Sequence, residues 1–230
     1  MPSTWPTRIR TAAKIFIWLI VAGLLALLAF EALAVLRARA RTPAVIEQSR
    51  ARPLPLSAVS ARRLAMLLRV EDPGFFEHRG VDFSTPGQGM TTITQALVKR
   101  FYFDGFEPGF AKIEQSLIAR FVLDPAMSKR DQLEVFLNYA GFGDHDGQSV
   151  IGFEAAARHY YGQPFSGLSD RQFLSLVAML MAPNALDPRR FPAENAERVR
   201  RIEHLLAGRC VPNGLRDVTY ARCADLRPPA

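Results

Sequence analysis

The sequence predicts a mainly α-helical protein, with one helical domain behind a single apolar N-terminal helix. Three observations predict it. Residues Ile15 to Leu36 carry one charge, Glu31, and about 20 predominantly apolar residues suffice to cross a bilayer as a helix. From Ser57 onward, apolar residues return every third or fourth position behind Ser and Thr residues suited to cap helices. No segment shows the period-two alternation of a half-buried strand or the spacing of a βαβ unit.

The elements follow in order. Residues 1–14 form a short N-terminus holding Arg8, Arg10 and Lys14. Residues 15–36 are the expected transmembrane anchor. Sixteen uncharged residues run from Ile15 to Phe30, and Glu31 lies near the helix end, where a carboxylate can reach the interface. The segment is apolar on every face, which argues against a buried helix of a soluble domain. A cleaved signal peptide is the rival reading, with Ala32 and Ala34 as small residues for a cleavage site. Its apolar core would be only about 7–15 residues long, so the uninterrupted length favours an uncleaved anchor. Arg37, Arg39 and Arg41 balance the three cations before the anchor, and charge alone gives no orientation. Residues 37–56, rich in Arg, Ala and Pro without apolar periodicity, read as a juxtamembrane linker.

A domain is expected over residues 57–208. Ser57 or Ser60 caps a helix carrying Leu64, Leu67 and Leu68 that ends near Val70, before Pro73-Gly74. Glu71 and Asp72 then sit at a helix C-terminus, where the macrodipole disfavours negative charge and raises a carboxyl's proton affinity. A second helix runs from Thr92 through Arg100, and a third over Phe110 to Val122 with Lys112, Gln115 and Ser116 on its polar face. Ser128 with Asp131 opens a helix bearing Leu133, Phe136 and Leu137, and Phe153 to Tyr161 forms a short helix behind Gly152. Ser169 with Gln172 reads as a capping box for Phe173 to Met181, apolar enough to be the central buried helix. In Ala193 to Ala207, Val199, Ile202, Leu205 and Leu206 share a face, and Glu194/Arg198 and Glu197/Arg201 read as i, i+4 pairs.

Residues 209–230 form a tail holding the only cysteines, Cys210 and Cys223, which flank Pro-Asn-Gly. An exported chain could pair them; the alternative is two free thiols in a loose tail. The net charge of +7 is uneven: residues 1–42 supply five of the seven charges, beside the membrane segment. That placement suits anionic headgroups and excludes a basic nucleic-acid face on the domain.

Val70-Glu71-Asp72-Pro73-Gly74-Phe75-Phe76-Glu77-His78-Arg79-Gly80-Val81-Asp82 packs carboxylates, aromatics and a histidine together, and Gly89-Met90-Thr91-Thr92-Ile93-Thr94-Gln95 follows closely. The pair resembles the first two motifs of the peptidoglycan glycosyltransferases (glycosyltransferase family 51), which polymerise lipid II into glycan strands. Further pieces fall in the family's order. Gln95 to Lys99 continue its second motif and Phe110-Ala111-Lys112-Ile113-Glu114-Gln115 stands at its third. Ser128-Lys129 with Leu133 to Asn138 stands at the fourth. Gly152 to Ala157, Tyr160-Tyr161-Gly162, Leu168-Ser169, Leu176-Val177-Ala178 and Ala182-Pro183-Asn184 complete a resemblance spanning Leu64 to Ala207.

The resemblance implies a lysozyme-like helical glycosyltransferase domain with a small membrane-associated lobe. It implies inverting transfer in which a 4-hydroxyl attacks an anomeric carbon and undecaprenyl pyrophosphate leaves. Glu71 matches the catalytic base, which needs a raised pKa within reach of the hydroxyl. Asp72 would support its field, Phe75 would wall the site (with Phe76 more suited to the core), and His78 would orient the loop or touch substrate. Thr91, Gln95, Lys99, Lys112 and Gln115 match positions around the pyrophosphate, and Asn138 reads as a polar anchor or a further substrate contact. No residues have metal-ligand spacing. No cofactor is required, and a divalent cation (Mg or Mn) stays open.

The expected partners are lipid II, the nascent glycan strand, the membrane and other cell-wall synthesis proteins, with no nucleic acid. The expected location is the bacterial cytoplasmic membrane, single-pass, with residues 1–14 inside, the domain on the periplasmic side, and no second catalytic domain after it. Three departures weigh on this. Ala111 replaces an arginine, Gln115 replaces a glutamate, and Asp82 to Gly89 is shorter than the family's connection. A lipid II-binding accessory protein is the alternative that Ala111 and Gln115 favour. A lysozyme-like hydrolase using Glu71 as acid is the third reading, and it would leave Lys99 and Lys112 without a purpose.

Overall fold

The computed structural model describes residues 7–145 and 147–224; the first six residues of the 1–14 segment and the last six of the tail lie outside them. The chain is predominantly helical, as expected. Helix α1, Thr7–Gln48, is one continuous element. It contains a stretch long and apolar enough to cross a membrane, and Phe16, Trp18, Leu25 and Leu28 are largely exposed along it, as a bilayer-facing helix requires.

The expectation of an irregular linker from residue 37 does not hold for its first part, because α1 runs on to Gln48 through Pro43. The extension is held by packing rather than by an apolar stripe. Ala38 and Val45 are buried, Thr42 Oγ1 lies 2.9 Å from Tyr102 Oη, and Arg41 donates to the Tyr102 carbonyl at 3.2 Å. The long apolar helix is thereby joined to the domain.

After a single 3-10 turn at Leu56–Ala58, Ser60 caps α2, Ala61–Glu71, by accepting the Arg63 N–H. Thr92 and Gln95 form a reciprocal capping box that opens α3, Ile93–Tyr102. Helix α4, Phe110–Ile118, continues into a π turn at Ala119–Leu123 and a last helical turn, α5, Asp124–Ala126. The first-motif loop rests on that π turn. Gly80 has φ +86°, and a Cβ there would stand 2.5 Å from the Ala119 carbonyl oxygen, so only glycine fits.

Helix α6, Lys129–Tyr139, leads into an antiparallel hairpin, β1 Gly141–His145 and β2 Gln148–Ile151. The hairpin escapes sequence reading because Gly-Phe-Gly-Asp-His lacks both alternation and β-branched residues. Helices α7, Phe153–Tyr161, α8, Asp170–Met179, and α9, Pro192–Leu206, complete the domain. Every residue of α8 from Phe173 to Met179 is buried, so it is the central helix, ending two residues before its apolar run does.

The tail is not loose. Cys210 and Cys223 form a disulfide, Cys223 and Tyr220 are fully buried, and His204 Nδ1 lies 2.8 Å from the Cys223 carbonyl oxygen.

Candidate active site

The end of α2, the start of α3, α4 and α9 border a cleft of about 690 Å3, closed on one side by the tail. Glu71, the last residue of α2, opens onto it. Burial raises the Glu71 carboxyl from 4.5 to about 7, Arg198 opposes that shift, and Asp72 adds to it. A carboxyl poised there can accept a proton near neutral pH.

Asp72 is completely buried and serves as a joint. The Ile93 N–H at the start of α3 donates to its Oδ2 at 2.9 Å, tying the first motif to the second. The Gly80 N–H donates to His78 Nδ1 at 3.1 Å, so Nε2 carries the proton that it donates to Asp72 Oδ1 at 2.8 Å. His78 thus orients the loop and does not line the cleft. The expectation for the two phenylalanines is reversed. Phe75 is buried, packed edge-on to Phe76, with Lys129 Nζ 4.7 Å from its ring centre, whereas Phe76 is 59% exposed. A turn has no periodicity to say which of two adjacent aromatics faces inward.

Across the cleft stand the cations. Lys112 Nζ on α4 donates to Thr91 Oγ1 at 2.9 Å, and burial, with Lys99 nearby, lowers the Lys112 ammonium from 10.5 to about 8. Lys99 on α3 lines the same cleft, with Nζ 5.1 Å from the Phe106 ring centre. Thr91, Lys99 and Lys112 thus line the same cleft as Glu71.

Gln95 and Gln115 are engaged by internal hydrogen bonds, and Asn138 takes the polar-anchor role of its two readings. Gln95 is wholly buried, its Oε1 accepting the Thr92 N–H and its Nε2 donating to Ser116 Oγ, so the capping box consumes it. Gln115 Nε2 donates to the Gln95 carbonyl at 2.7 Å, leaving a buried Oε1 with no partner beside the cleft. The unpartnered atom of Gln115 is an acceptor, and one of its two amide N–H groups is spent on the Gln95 carbonyl. Among the described residues no group of three or more acidic, His or Cys side chains could hold a metal. Asn138 lies away from the cleft, exchanging hydrogen bonds of 2.9 and 2.8 Å with the Leu54 N–H and carbonyl.

Arg198, read from sequence as a surface partner of Glu194, is 6% exposed and lines the cleft, its Nε and Nη1 without partners. Its place on α9 carried the signal: positions 198, 202 and 205 share the apolar face. Gln88 is equally buried at the cleft with neither amide atom bonded. Tyr220 of the tail packs under Arg198, the guanidinium 4.2 Å from the ring centre.

A poised carboxyl facing two ammonium groups across one cleft defines a helical acid–base enzyme, tied here to a helix able to cross a membrane. A family model described as Transglycosylase matches residues 39–207. The chain is similar to a biosynthetic peptidoglycan transglycosylase of Nitrosospira multiformis, with 31% identity over 176 residues, 71% of this chain and 74% of the relative. A protein of that same name from Azoarcus is 30% identical over 162 residues, 64% of this chain and 68% of the relative. Penicillin-binding protein 1B of Escherichia coli is 28% identical over 176 residues, 70% of this chain but 21% of that longer protein. The chain belongs to the transglycosylase family.

Proposed function

We propose that this protein polymerises lipid II into glycan strands by inverting glycosyl transfer, with Glu71 as the general base. The observation that carries the reading is the Glu71 carboxyl, raised to about 7 at the cleft and facing Lys99 and Lys112. Glu71 takes the proton of the acceptor 4-hydroxyl. The oxygen of that hydroxyl bonds to the anomeric carbon as the carbon–oxygen bond to the lipid pyrophosphate breaks, and the pyrophosphate departs with the electron pair. Lys112, Lys99 and Thr91 hold the departing phosphates, supplying charge where negative charge develops. No step passes through a metal ion.

The membrane helix, joined to the domain through Tyr102, would keep the cleft near a lipid-borne substrate. The disulfide supports a domain on the oxidising, periplasmic side of the cytoplasmic membrane. Lipid II and the nascent strand are the partners this chemistry requires.

The test is polymerisation of labelled lipid II by the full-length protein in detergent, beside Glu71→Gln. Strands from wild type and none from the variant, with both folded, are expected. Equal turnover by a folded Glu71→Gln protein would remove Glu71 as the base.

A further inference from the structure

Several features near Glu71 meet at one segment that the transfer chemistry does not use. The connection between the first two motifs, Asp82 to Gly89, is short, and the tail pairs directly with it. The Gly87 N–H donates to the Gly214 carbonyl at 2.9 Å, and the Gly89 N–H to the Leu215 carbonyl at 2.8 Å. The approach is close enough to need glycine. Gly87 has φ +81°, and a Cβ there would stand 2.6 Å from Pro212 Cγ and 2.9 Å from Tyr220 Cε1.

Tyr220 sits at the centre of this junction. Its hydroxyl donates to the carbonyl of Val70, the residue before Glu71, at 2.9 Å. Its ring lies 4.2 Å from the Arg198 guanidinium carbon, and Arg198 keeps two unbonded nitrogens at the cleft. Tyr220 is also the non-glycine residue with positive φ among the described residues, at 52°. Such a conformation is unfavourable for a residue with a Cβ and persists only where its surroundings fix it. The surroundings here are the Cys210–Cys223 bond three residues on, the Arg201 bond to the Thr219 carbonyl, and the Asp217 carboxylate accepting the Asn213 and Ala221 N–H groups.

We infer that the disulfide-closed tail is a working wall of the active site, in which Tyr220 is a positioning residue that holds Arg198 and the end of α2 in register with Glu71. The tail occupies the side that the short connection leaves open, so the chain completes its own cleft. The inference rests on the reading of Glu71 as base. Charged or titratable groups facing Glu71 come from each packed element: Asp72 from the end of α2, Arg198 from α9 and Tyr220 from the tail, with Arg69 acting on Tyr220. Arg198 favours the ionised carboxylate and cannot titrate away at ordinary pH. Loosening Tyr220 while the tail still covers the carboxyl releases Arg198 and lets the Glu71 midpoint rise, because burial is kept and the opposing cation is lost.

The test reads Glu71 directly. Full-length protein labelled with carbon-13 at the glutamate carboxyl is titrated by NMR in detergent, with Glu71 assigned by its loss in Glu71→Gln. Tyr220→Leu, and separately Cys210→Ser/Cys223→Ser, are expected to raise the midpoint by roughly half a unit or more, the scale of a weakened neighbouring charge. The acid limb of the polymerisation rate moves with it. In an Arg198→Gln background, Tyr220→Leu adds no further shift. Should Tyr220→Leu unfold, chemical reduction of the wild-type disulfide gives the same reading on an unaltered chain. An unmoved midpoint in these proteins, or equal shifts with and without Arg198, overturns the inference. Wild type that never polymerises lipid II, yet shows the Arg198-dependent shift, overturns the catalytic reading and leaves the positioning role standing.

Discussion

The cleft has two unlike walls. One is built from the end of α2, the length of α3 and the start of α4, where Glu71, Thr91, Lys99 and Lys112 lie within about forty residues of one another in sequence. The other comes from α9 and the tail, and its Tyr220 bonds the Val70 carbonyl across 150 residues of chain. The first wall carries the groups to which the proposal gives proton transfer and phosphate binding. The second carries a cation with unbonded nitrogens and an aromatic platform beneath it. Chemistry that depends on local spacing leaves a mark in the sequence, whereas support delivered from a distant segment leaves almost none.

The largest effect expected from breaking the first wall is that of Glu71→Gln, a fall of roughly 100- to 10,000-fold in polymerisation, the usual worth of a positioned base. The same variant has a stability signature. The carboxyl is raised from 4.5 to about 7, so the folded chain holds a proton that the unfolded chain releases between those values. Wild-type stability therefore falls as pH rises through that window, and the neutral amide is exempt. Glu71→Gln is expected to melt above wild type at about pH 8, by on the order of 1–2 kcal/mol, and to match it near pH 4. A variant less stable than wild type at both values would mean that the carboxylate is paired in the fold.

Next in size is Lys112. Lys112→Met is expected to lower the rate by roughly tenfold to a thousandfold, as removal of a transition-state donor does. Lys112→Arg separates charge from geometry. With Glu71 near 7 and the Lys112 ammonium near 8, the rate is expected to rise through the first value and fall through the second. Arginine does not titrate there, so Lys112→Arg keeps the acid limb and loses the alkaline one. An alkaline limb unchanged in Lys112→Arg would assign it to another group.

How much of this was legible depends on what each residue does. Ser60, Thr92 and Ser169 announce helix starts because a cap bonds within three residues of itself, and all three do so here. Glu71 and Lys112 are legible through the order of the motifs around them. Gln95 sits in a matching position too, yet the capping box takes its amide oxygen and Ser116 its amide nitrogen; the match fixed its place but not its task. The extension of α1 through residues 37–48 stayed hidden because Ala38, Thr42 and Val45 make a thin contact face among arginines and a proline. Arg198 was misread because Glu194 four residues earlier supplies a plausible surface partner. Its shared face with Ile202 and Leu205 was the better guide.

A smaller and purely structural contrast falls within the first motif. Phe75→Ala removes a fully buried ring and is expected to cost about 3–5 kcal/mol of stability. Phe76→Ala, at a largely exposed ring, should stay within about 1 kcal/mol. Thermal or denaturant unfolding of both in detergent measures the difference. Equal losses would place Phe76 in a contact that burial alone does not reveal, the membrane surface being the nearest candidate beside exposed Phe83.

The smallest expected effect tests the fit of the third motif. Gln115→Glu places a carboxylate where the amide now donates to the Gln95 carbonyl, and a carboxylate has no proton to give. The Gln95 carbonyl would lose its partner and the new charge would be buried, a combined cost on the order of 1–3 kcal/mol unless another group compensates. Lys112, which lines the same cleft, is that group. The substitution is therefore expected to raise the Lys112 pKa and move the alkaline limb of the rate profile upward, with only a severalfold change in rate at its optimum. It also adds the hard oxygen that a divalent cation would need, so a new dependence on magnesium or manganese in Gln115→Glu alone would show that the amide here is what keeps the cleft free of metal. Identical magnesium and manganese titrations in wild type and variant would locate any cation requirement outside the third motif.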